Sequence, residues 1–117
     1  MQNGGDDVER SSDQQIDVKE RVAALREDLP AVMDAFAQLQ QAATASGALD
    51  AKTKRLVMVG IALSQRCDHC IRVHVGAALE LGATRAELFD AAAAAILMGG
   101  GPVAATVATV LPELLDV

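Results

Sequence analysis

The residues of this chain that are best suited to chemistry lie together in one short segment. Cys67, Cys70 and His74 are spaced three and four residues apart, so in a helix their side chains share one face. Two thiols at this spacing can close a disulfide, and an imidazole one turn further on can take up or return a proton. His69 lies between the cysteines but points to another side of such a helix. The pattern predicts a redox-active dithiol with its own base.

A reactive cysteine needs surroundings that stabilise its thiolate. If Cys67 lies where one helix ends and the next begins, its sulfur faces the free N–H groups and the positive end of the second helix. Arg66 adds a neighbouring cation. Such settings lower a cysteine pKa from about 8.5 to ~3.5–7.5. Cys70, one turn further on, is placed to attack a sulfenic acid or mixed disulfide formed at the other sulfur.

Other interpretations of these side chains stay open at this stage. The two thiols can form a structural disulfide, bind zinc together with His74, or be ordinary core cysteines. A disulfide here would close a loop too small to stabilise much, and His69 points away from a zinc site on the shared face. His74 can also be a buried histidine bonded to a carbonyl, and Asp68 a first-turn acid favoured by the helix dipole. We predict no metal and no cofactor.

The composition restricts the classes of protein to which the chain can belong. Its 117 residues are 51% hydrophobic but only 2% aromatic, and the formal net charge is −6. This length fits one domain, and a core of small and aliphatic side chains suits closely packed helices. No run of Lys or Arg forms a basic stripe, which argues against nucleic acid or an anionic membrane as a partner.

The N-terminal segment leads us to expect a cytoplasmic protein. Met1–Asp13 is polar and acidic and lacks the apolar region of a signal peptide. No apolar stretch approaches the roughly 18 residues that a membrane span needs. Residues 1–15 lack periodicity and are expected to form a disordered acidic tail. Cytoplasmic thiols are kept reduced, so a close cysteine pair there is more often catalytic or metal-binding than structural.

Apolar periodicity and capping residues predict a single all-α domain of about six helices over residues 16–117. The expected helices run from Ile16 to about Leu29, from Pro30 to Gly47, from the cap Asp50 towards Cys67, from Cys67 to Leu81, from Thr84 to Met98, and from Pro102 to just before Pro112. Asp50 and Thr84 are expected as N-caps, and Gly82 as a left-handed C-terminal cap. The buried face of the third helix is expected to carry Leu56, Val57, Val59, Gly60, Ile61 and Leu63. The dithiol then lies at the junction of the third and fourth helices.

Several segments, taken together, resemble the AhpD-like, carboxymuconolactone decarboxylase superfamily. These segments are Lys52–Val57, Gly60–Leu63, Arg66–Ile71 with His74, Gly82–Leu88 and Met98–Pro102. The resemblance covers residues 48–102, and CxxCxxxH followed by a Gly-Ala-Thr helix start is its most specific part. It implies an all-α fold that assembles as trimers or hexamers. It also implies alkylhydroperoxidase or disulfide reductase activity, because members that decarboxylate carboxymuconolactone generally lack the cysteine pair.

The same resemblance implies a role for each residue of the motif. Cys67 and Cys70 match the redox pair, His74 matches the proton-relay histidine, and His69 matches a histidine that some members carry inside the motif. The relay of AhpD-like peroxidases includes a glutamate twelve positions before the first cysteine, and here that position is Arg55. A guanidinium cannot act as a base at neutral pH, although one that points into the site can hold a thiolate electrostatically.

Arg55 therefore leaves more than one function open. Either Asp68, Glu80 or a carboxylate of a neighbouring subunit rebuilds the relay, or peroxide turnover is weak; Arg55 can also be a plain surface residue. The leading hypothesis is a thiol-dependent oxidoreductase that acts on a small hydroperoxide or on a disulfide-bearing redox partner. The alternatives are a catalytically weak scaffold with a redox-sensing or metal-binding role, and a non-redox enzyme of the decarboxylase type.

The last predicted helix bears on assembly. The segment Val103–Val110 is apolar round most of a helix, so it either completes the core or lies in a subunit interface. We favour the interface and predict a symmetric homo-oligomer, a trimer or hexamer by resemblance.

Overall fold

A computed structural model describes residues 18–116 and shows an all-α protein, as predicted. The six helices within these residues are α1 (18–28), α2 (Pro30–Thr44), α3 (Ala51–Gln65), α4 (Asp68–Glu80), α5 (Arg85–Gly99) and α6 (Gly101–Leu115). The described residues form two compact units, 18–43 and 44–116. The expected tail of residues 1–15 and the expected helix start at Ile16 lie outside the described residues. A single domain over 16–117 stays a prediction.

The predicted capping residues begin and end the helices of the second unit. Asp50 caps α3 by accepting a hydrogen bond from the backbone N–H of Thr53 at 2.8 Å. Thr84 and Glu87 form the expected capping box at the start of α5. Gly82 follows α4 with a φ of 90°, a left-handed conformation that glycine adopts without a steric cost. None of the helices within residues 18–116 is long and apolar enough to cross a membrane.

The core of residues 44–116 is built round α3, which packs against α4, α5 and α6. The side chains that form it are Val59, Ala62, Leu63, Ile71, Val75, Ala78, Ala83, Leu88, Ala92, Ala95, Val103, Val107, Val110 and Leu111. All are small or aliphatic, as the composition indicated. The expectation that Val57 and Ile61 share the buried face of α3 is wrong, because both are about half exposed, at 50% and 52%. They lie on a second apolar face of the same helix.

The expectation that α6 ends before Pro112 is also wrong. Leu111 is fully buried, and Leu114 and Leu115 pack against the core, so burial keeps the chain helical past the proline. Proline removes a single backbone N–H, and its carbonyl still accepts a hydrogen bond from the N–H of Asp116 at 2.8 Å. The other boundaries differ less: α2 ends at Thr44, and only one residue separates α5 from α6.

The apolar face of α6 completes the core of its own chain. Val103 and Val107 are only 3% and 5% exposed, and Val110 is buried beside them. Assigning these side chains to a subunit interface was therefore wrong, and the alternative interpretation holds. Helices of an Ala-rich and Val-rich chain have little bulk to bury, so α6 is needed to cover α3 and α5.

Candidate redox site

Two residues, Arg66 and Cys67, join α3 to α4. The N–H of Arg66 donates to the carbonyl of Leu63 at 3.1 Å, and the N–H of Cys67 donates to that of Ala62 at 3.3 Å. These paired bonds form a Schellman helix end, in which the left-handed residue is usually glycine. Here Arg66 takes that conformation, with a φ of 54°. An arginine gives no sequence signal for such a turn, so the turn could not be predicted from the sequence. The tight turn places Cys67 immediately before the first residue of the next helix.

Cys67 is the N-cap of α4. Its sulfur accepts a hydrogen bond from the backbone N–H of Cys70 at 3.3 Å, so it occupies the position where a helix stabilises negative charge. The structure joins Cys67 to Cys70 as a disulfide, with the Cα atoms 5.3 Å apart, within the usual range. Both cysteines are half-buried, and Cys70 also packs against the core. The predicted pairing of the two sulfurs is thus geometrically accessible without any rearrangement of the backbone.

Arg55 of α3 reaches across to His74 of α4. Its Nη1 lies 3.0 Å from Nδ1 of the imidazole. A guanidinium only donates hydrogen bonds, so Nδ1 must accept this one and the ring proton must sit on Nε2. Burial, and then the positive charge of Arg55, lowers the pKa of His74 below its ordinary value of 6.5. His74 is therefore a neutral imidazole at pH 7, in the Nε2–H tautomer.

The structure does not rebuild the missing relay carboxylate from nearby acids. Asp68 pairs with Arg72 one turn along α4, at 2.9 Å, and Arg72 also reaches Glu113 of α6 at 3.2 Å. Within residues 18–116, no carboxylate pairs with Arg55 or His74. The Nε of Arg55 is buried and has no hydrogen-bond partner. The positive charge of Arg55 is therefore not neutralised in the part of the chain that the structure describes.

The remaining side chains singled out by the sequence lie near the site without joining the contact between Arg55 and His74. His69 is half-buried on α4, and Glu80 is exposed near the end of that helix. Among the described residues, no three His, Cys, Asp or Glu side chains are grouped so that they could hold a metal ion. The sequence did not single out Arg72, although its two ion pairs fix the first turn of α4 against α6.

Two open grooves border this region. One, of about 830 Å³, runs between α3 and α5, is largely apolar and ends at Gln65, two residues before Cys67. The other, of about 400 Å³, lies between the start of α4 and the surface of α6. Arg66 and Asp68, the two neighbours of Cys67 in sequence, both line it. A molecule that approaches Cys67 along this second groove would meet a cation and a carboxylate.

Comparison with known proteins decides the family. The family model for the carboxymuconolactone decarboxylase family matches residues 30–113. The chain belongs to this family. An uncharacterized protein of Cupriavidus necator is 40% identical over 86 residues, which is 74% of this chain and 76% of that protein. A second uncharacterized protein, encoded in the cox locus of Paracoccus denitrificans, is 40% identical over 68 residues, covering 58% and 61% of the two chains.

Solved structures of the family share this fold. A carboxymuconolactone decarboxylase family protein from Legionella pneumophila, crystallised in its apo form, has a TM-score of 0.83 and 37% identity, covering 90% of this chain and 94% of the other. A family member from Thermotoga maritima has a TM-score of 0.76 and 26% identity, covering 88% of both chains. An involvement in antioxidative response has been suggested for the Thermotoga protein.

Proposed function

We propose that this protein is a thiol-dependent oxidoreductase of the alkylhydroperoxidase or disulfide reductase type. The observation that carries the proposal is the pairing of Cys67 with Cys70 at the N-terminus of α4, with His74 one turn beyond. A helix N-terminus and a neighbouring arginine favour a thiolate, and the second thiol lies within bonding reach of the first. The antioxidative role suggested for the Thermotoga relative supports the same class of chemistry.

The proposed cycle balances with either kind of oxidant. The thiolate of Cys67, whose sulfur already accepts the N–H of Cys70, attacks a hydroperoxide oxygen; the O–O bond breaks, an alcohol leaves and a sulfenic acid forms. Cys70 then attacks that sulfur and expels water. Two thiols and one hydroperoxide thus give one disulfide, one alcohol and one water. With a disulfide as oxidant, two partner thiols leave instead, and an external dithiol returns the protein to its reduced form.

The proposal extends to partners and assembly. The substrate is a small hydroperoxide or a disulfide-bearing redox partner, and the protein acts in the cytoplasm as a homo-oligomer, a trimer or hexamer. A second candidate is a catalytically weak, redox-sensing scaffold of the same fold. That candidate is favoured by one observation, the contact of Arg55 with the relay histidine at the position where peroxidases of this type carry a glutamate.

A thiol count separates these candidates. The reduced protein is treated with one equivalent of hydrogen peroxide or of a small disulfide, and free thiols and zinc are measured before and after. We expect both thiols to disappear with no zinc bound, and the loss to reverse with dithiothreitol. A redox sensor would also lose both thiols to one equivalent, so the protein is then given excess oxidant together with dithiothreitol. Repeated turnover above the rate without protein supports the oxidoreductase. Thiols that persist, bound zinc, or a single oxidation without turnover would favour the scaffold.

The matched control is the double substitution Cys67→Ser with Cys70→Ser. Serine at position 67 keeps an oxygen that can cap α4, so this variant should fold. It should lose all oxidant consumption. Any catalytic activity that survives in it would reject the thiol mechanism and point to non-redox chemistry of the decarboxylase type.

A further inference from the structure

We propose that Arg55, acting through His74, fits the Cys67–Cys70 site for exchange with disulfides rather than for reduction of hydroperoxides. This inference rests on the proposed thiol chemistry and narrows its substrate class. Arg55 is a positioning residue, because its structural contact is with the imidazole rather than with a reacting atom.

The two ring nitrogens of His74 have different roles. Nδ1 accepts the hydrogen bond of Arg55 at 3.0 Å, and Nε2 carries the ring proton. Neither nitrogen is free to accept the proton of a cysteine thiol. To act as a base, the imidazole would have to break its contact with Arg55 and become a cation next to the guanidinium. A carboxylate at position 55 would have the opposite effect, because it would stabilise the imidazolium.

Hydroperoxide cleavage and disulfide exchange differ in how much they depend on transfer of the thiol proton. Hydroperoxide cleavage releases an alkoxide, a very strong base, so it benefits from a group that takes the thiol proton and passes it to the leaving oxygen. Disulfide exchange releases a thiolate, which is stable in water near neutral pH. A histidine that Arg55 holds as the neutral imidazole cannot carry this proton, so the rate of hydroperoxide reduction should be low. The rate of disulfide exchange depends little on this proton transfer and should be nearly unaffected.

The charge of Arg55 gives the site a way of stabilising thiolates that needs no proton acceptor. His74 follows Cys70 by four residues on α4, so the two side chains are neighbours on one helix face. Arg55, which pairs with no carboxylate within residues 18–116, therefore places its cation against the side chain that lies one helical turn from Cys70. A cation at this place stabilises each thiolate that exchange forms or consumes.

The proposed exchange is balanced in atoms and electrons. The Cys67 thiolate attacks one sulfur of the partner disulfide, whose S–S bond breaks and whose other sulfur leaves as a thiolate. The Cys70 thiolate then attacks Cys67 in the mixed disulfide and expels the second partner thiolate. Two electrons pass from the protein dithiol to the partner, and the two cysteine protons end on the released thiols.

The first experiment compares two rates on the reduced protein, one with the neutral disulfide 2,2′-dithiodipyridine and one with cumene hydroperoxide. Variants Arg55→Glu and Arg55→Met are compared with Lys54→Met, which removes one positive charge from the neighbouring residue, whose amine bonds to the carbonyl of Ala45. General-base assistance is typically worth ~10²–10⁴-fold. We expect the ratio of disulfide rate to peroxide rate to fall at least about tenfold in Arg55→Glu, less in Arg55→Met, and not at all in Lys54→Met.

A spectroscopic readout tests the inference independently of the reaction rates. The ¹⁵N resonances of the His74 ring, assigned with the help of His69→Gln, should show the Nε2–H tautomer in the wild-type protein. In Arg55→Glu the proton should move to Nδ1, facing the new carboxylate. A purely structural role for Arg55 would not move this proton.

The outcomes separate this inference from the proposed function. If the reduced wild-type protein reacts with neither oxidant, the proposed function itself fails. If it reacts but the rate ratio is unchanged in Arg55→Glu, or if wild-type His74 carries its proton on Nδ1, the thiol chemistry stands and the role of Arg55 is overturned.

Discussion

Arg55 and His74 show how one side chain sets the protonation of another. Both burial of the imidazole and the neighbouring guanidinium disfavour the imidazolium, so they lower the pKa of His74 together. In the unfolded chain neither influence is present. Between the lowered pKa of the folded state and the ordinary value of 6.5, His74 therefore binds fewer protons in the folded protein than in the unfolded chain.

This difference predicts how stability depends on pH. The contribution of His74 is fully present above its ordinary pKa of 6.5 and is lost as the pH falls towards the lower pKa of the folded state. Urea denaturation near pH 7.5 and pH 5.5 should show a smaller fall in the free energy of unfolding for His74→Gln than for the wild type. His69→Gln keeps the contact between Arg55 and His74 and should keep the wild-type fall. Equal falls in the wild type and His74→Gln would contradict the assignment.

Only part of this site could be predicted from the sequence. The spacing of Cys67, Cys70 and His74 was sufficient to place them along one helix, because helical periodicity is local. The contact of His74 with Arg55 could not be predicted, since Arg55 lies on another helix and the contact depends on how α3 packs against α4. The left-handed turn at Arg66 likewise has no local signal, because glycine is the residue that usually marks it.

The helix boundaries could be predicted from the sequence wherever a side chain caps the backbone. The N-caps Asp50 and Thr84 and the left-handed Gly82 lie where the sequence predicted them. Each acts on the backbone within about one helical turn of itself, so the signal is local. The end of α6 was missed because burial of Leu111 outweighs the local effect of Pro112. Tertiary burial of this kind cannot be read from one segment alone.

The whole molecule leaves apolar side chains uncovered in the part that the structure describes. Val57 and Ile61 of α3 and Met98 of α5 line the largely apolar groove between those helices, and Met98 is 84% exposed. Exposed apolar surface of this kind is typical of proteins that associate. We therefore expect light scattering at micromolar concentration to report a homo-oligomer, and a stable monomer would contradict this.

The burial of Val107 within its own chain changes what a substitution at this residue tests. Because this side chain is buried in its own chain, Val107→Asp should unfold the protein rather than release folded subunits. The neighbouring Ala108 is exposed on α6, so Ala108→Asp should keep the wild-type thermal midpoint. If Val107→Asp melted like the wild type, the placement of α6 in the core would be wrong.

The chemistry proposed for this protein depends on Cys67 and Cys70 forming one reversible disulfide. Mass spectrometry of peptides from alkylated protein tests it most directly, on samples taken before oxidation, after one equivalent of a small disulfide, and after re-reduction with dithiothreitol. We expect both cysteines to escape alkylation only in the oxidised sample, joined to each other within one chain, and both to be alkylated again after reduction. Cysteines that stay alkylatable throughout, or that pair only between chains, would contradict it.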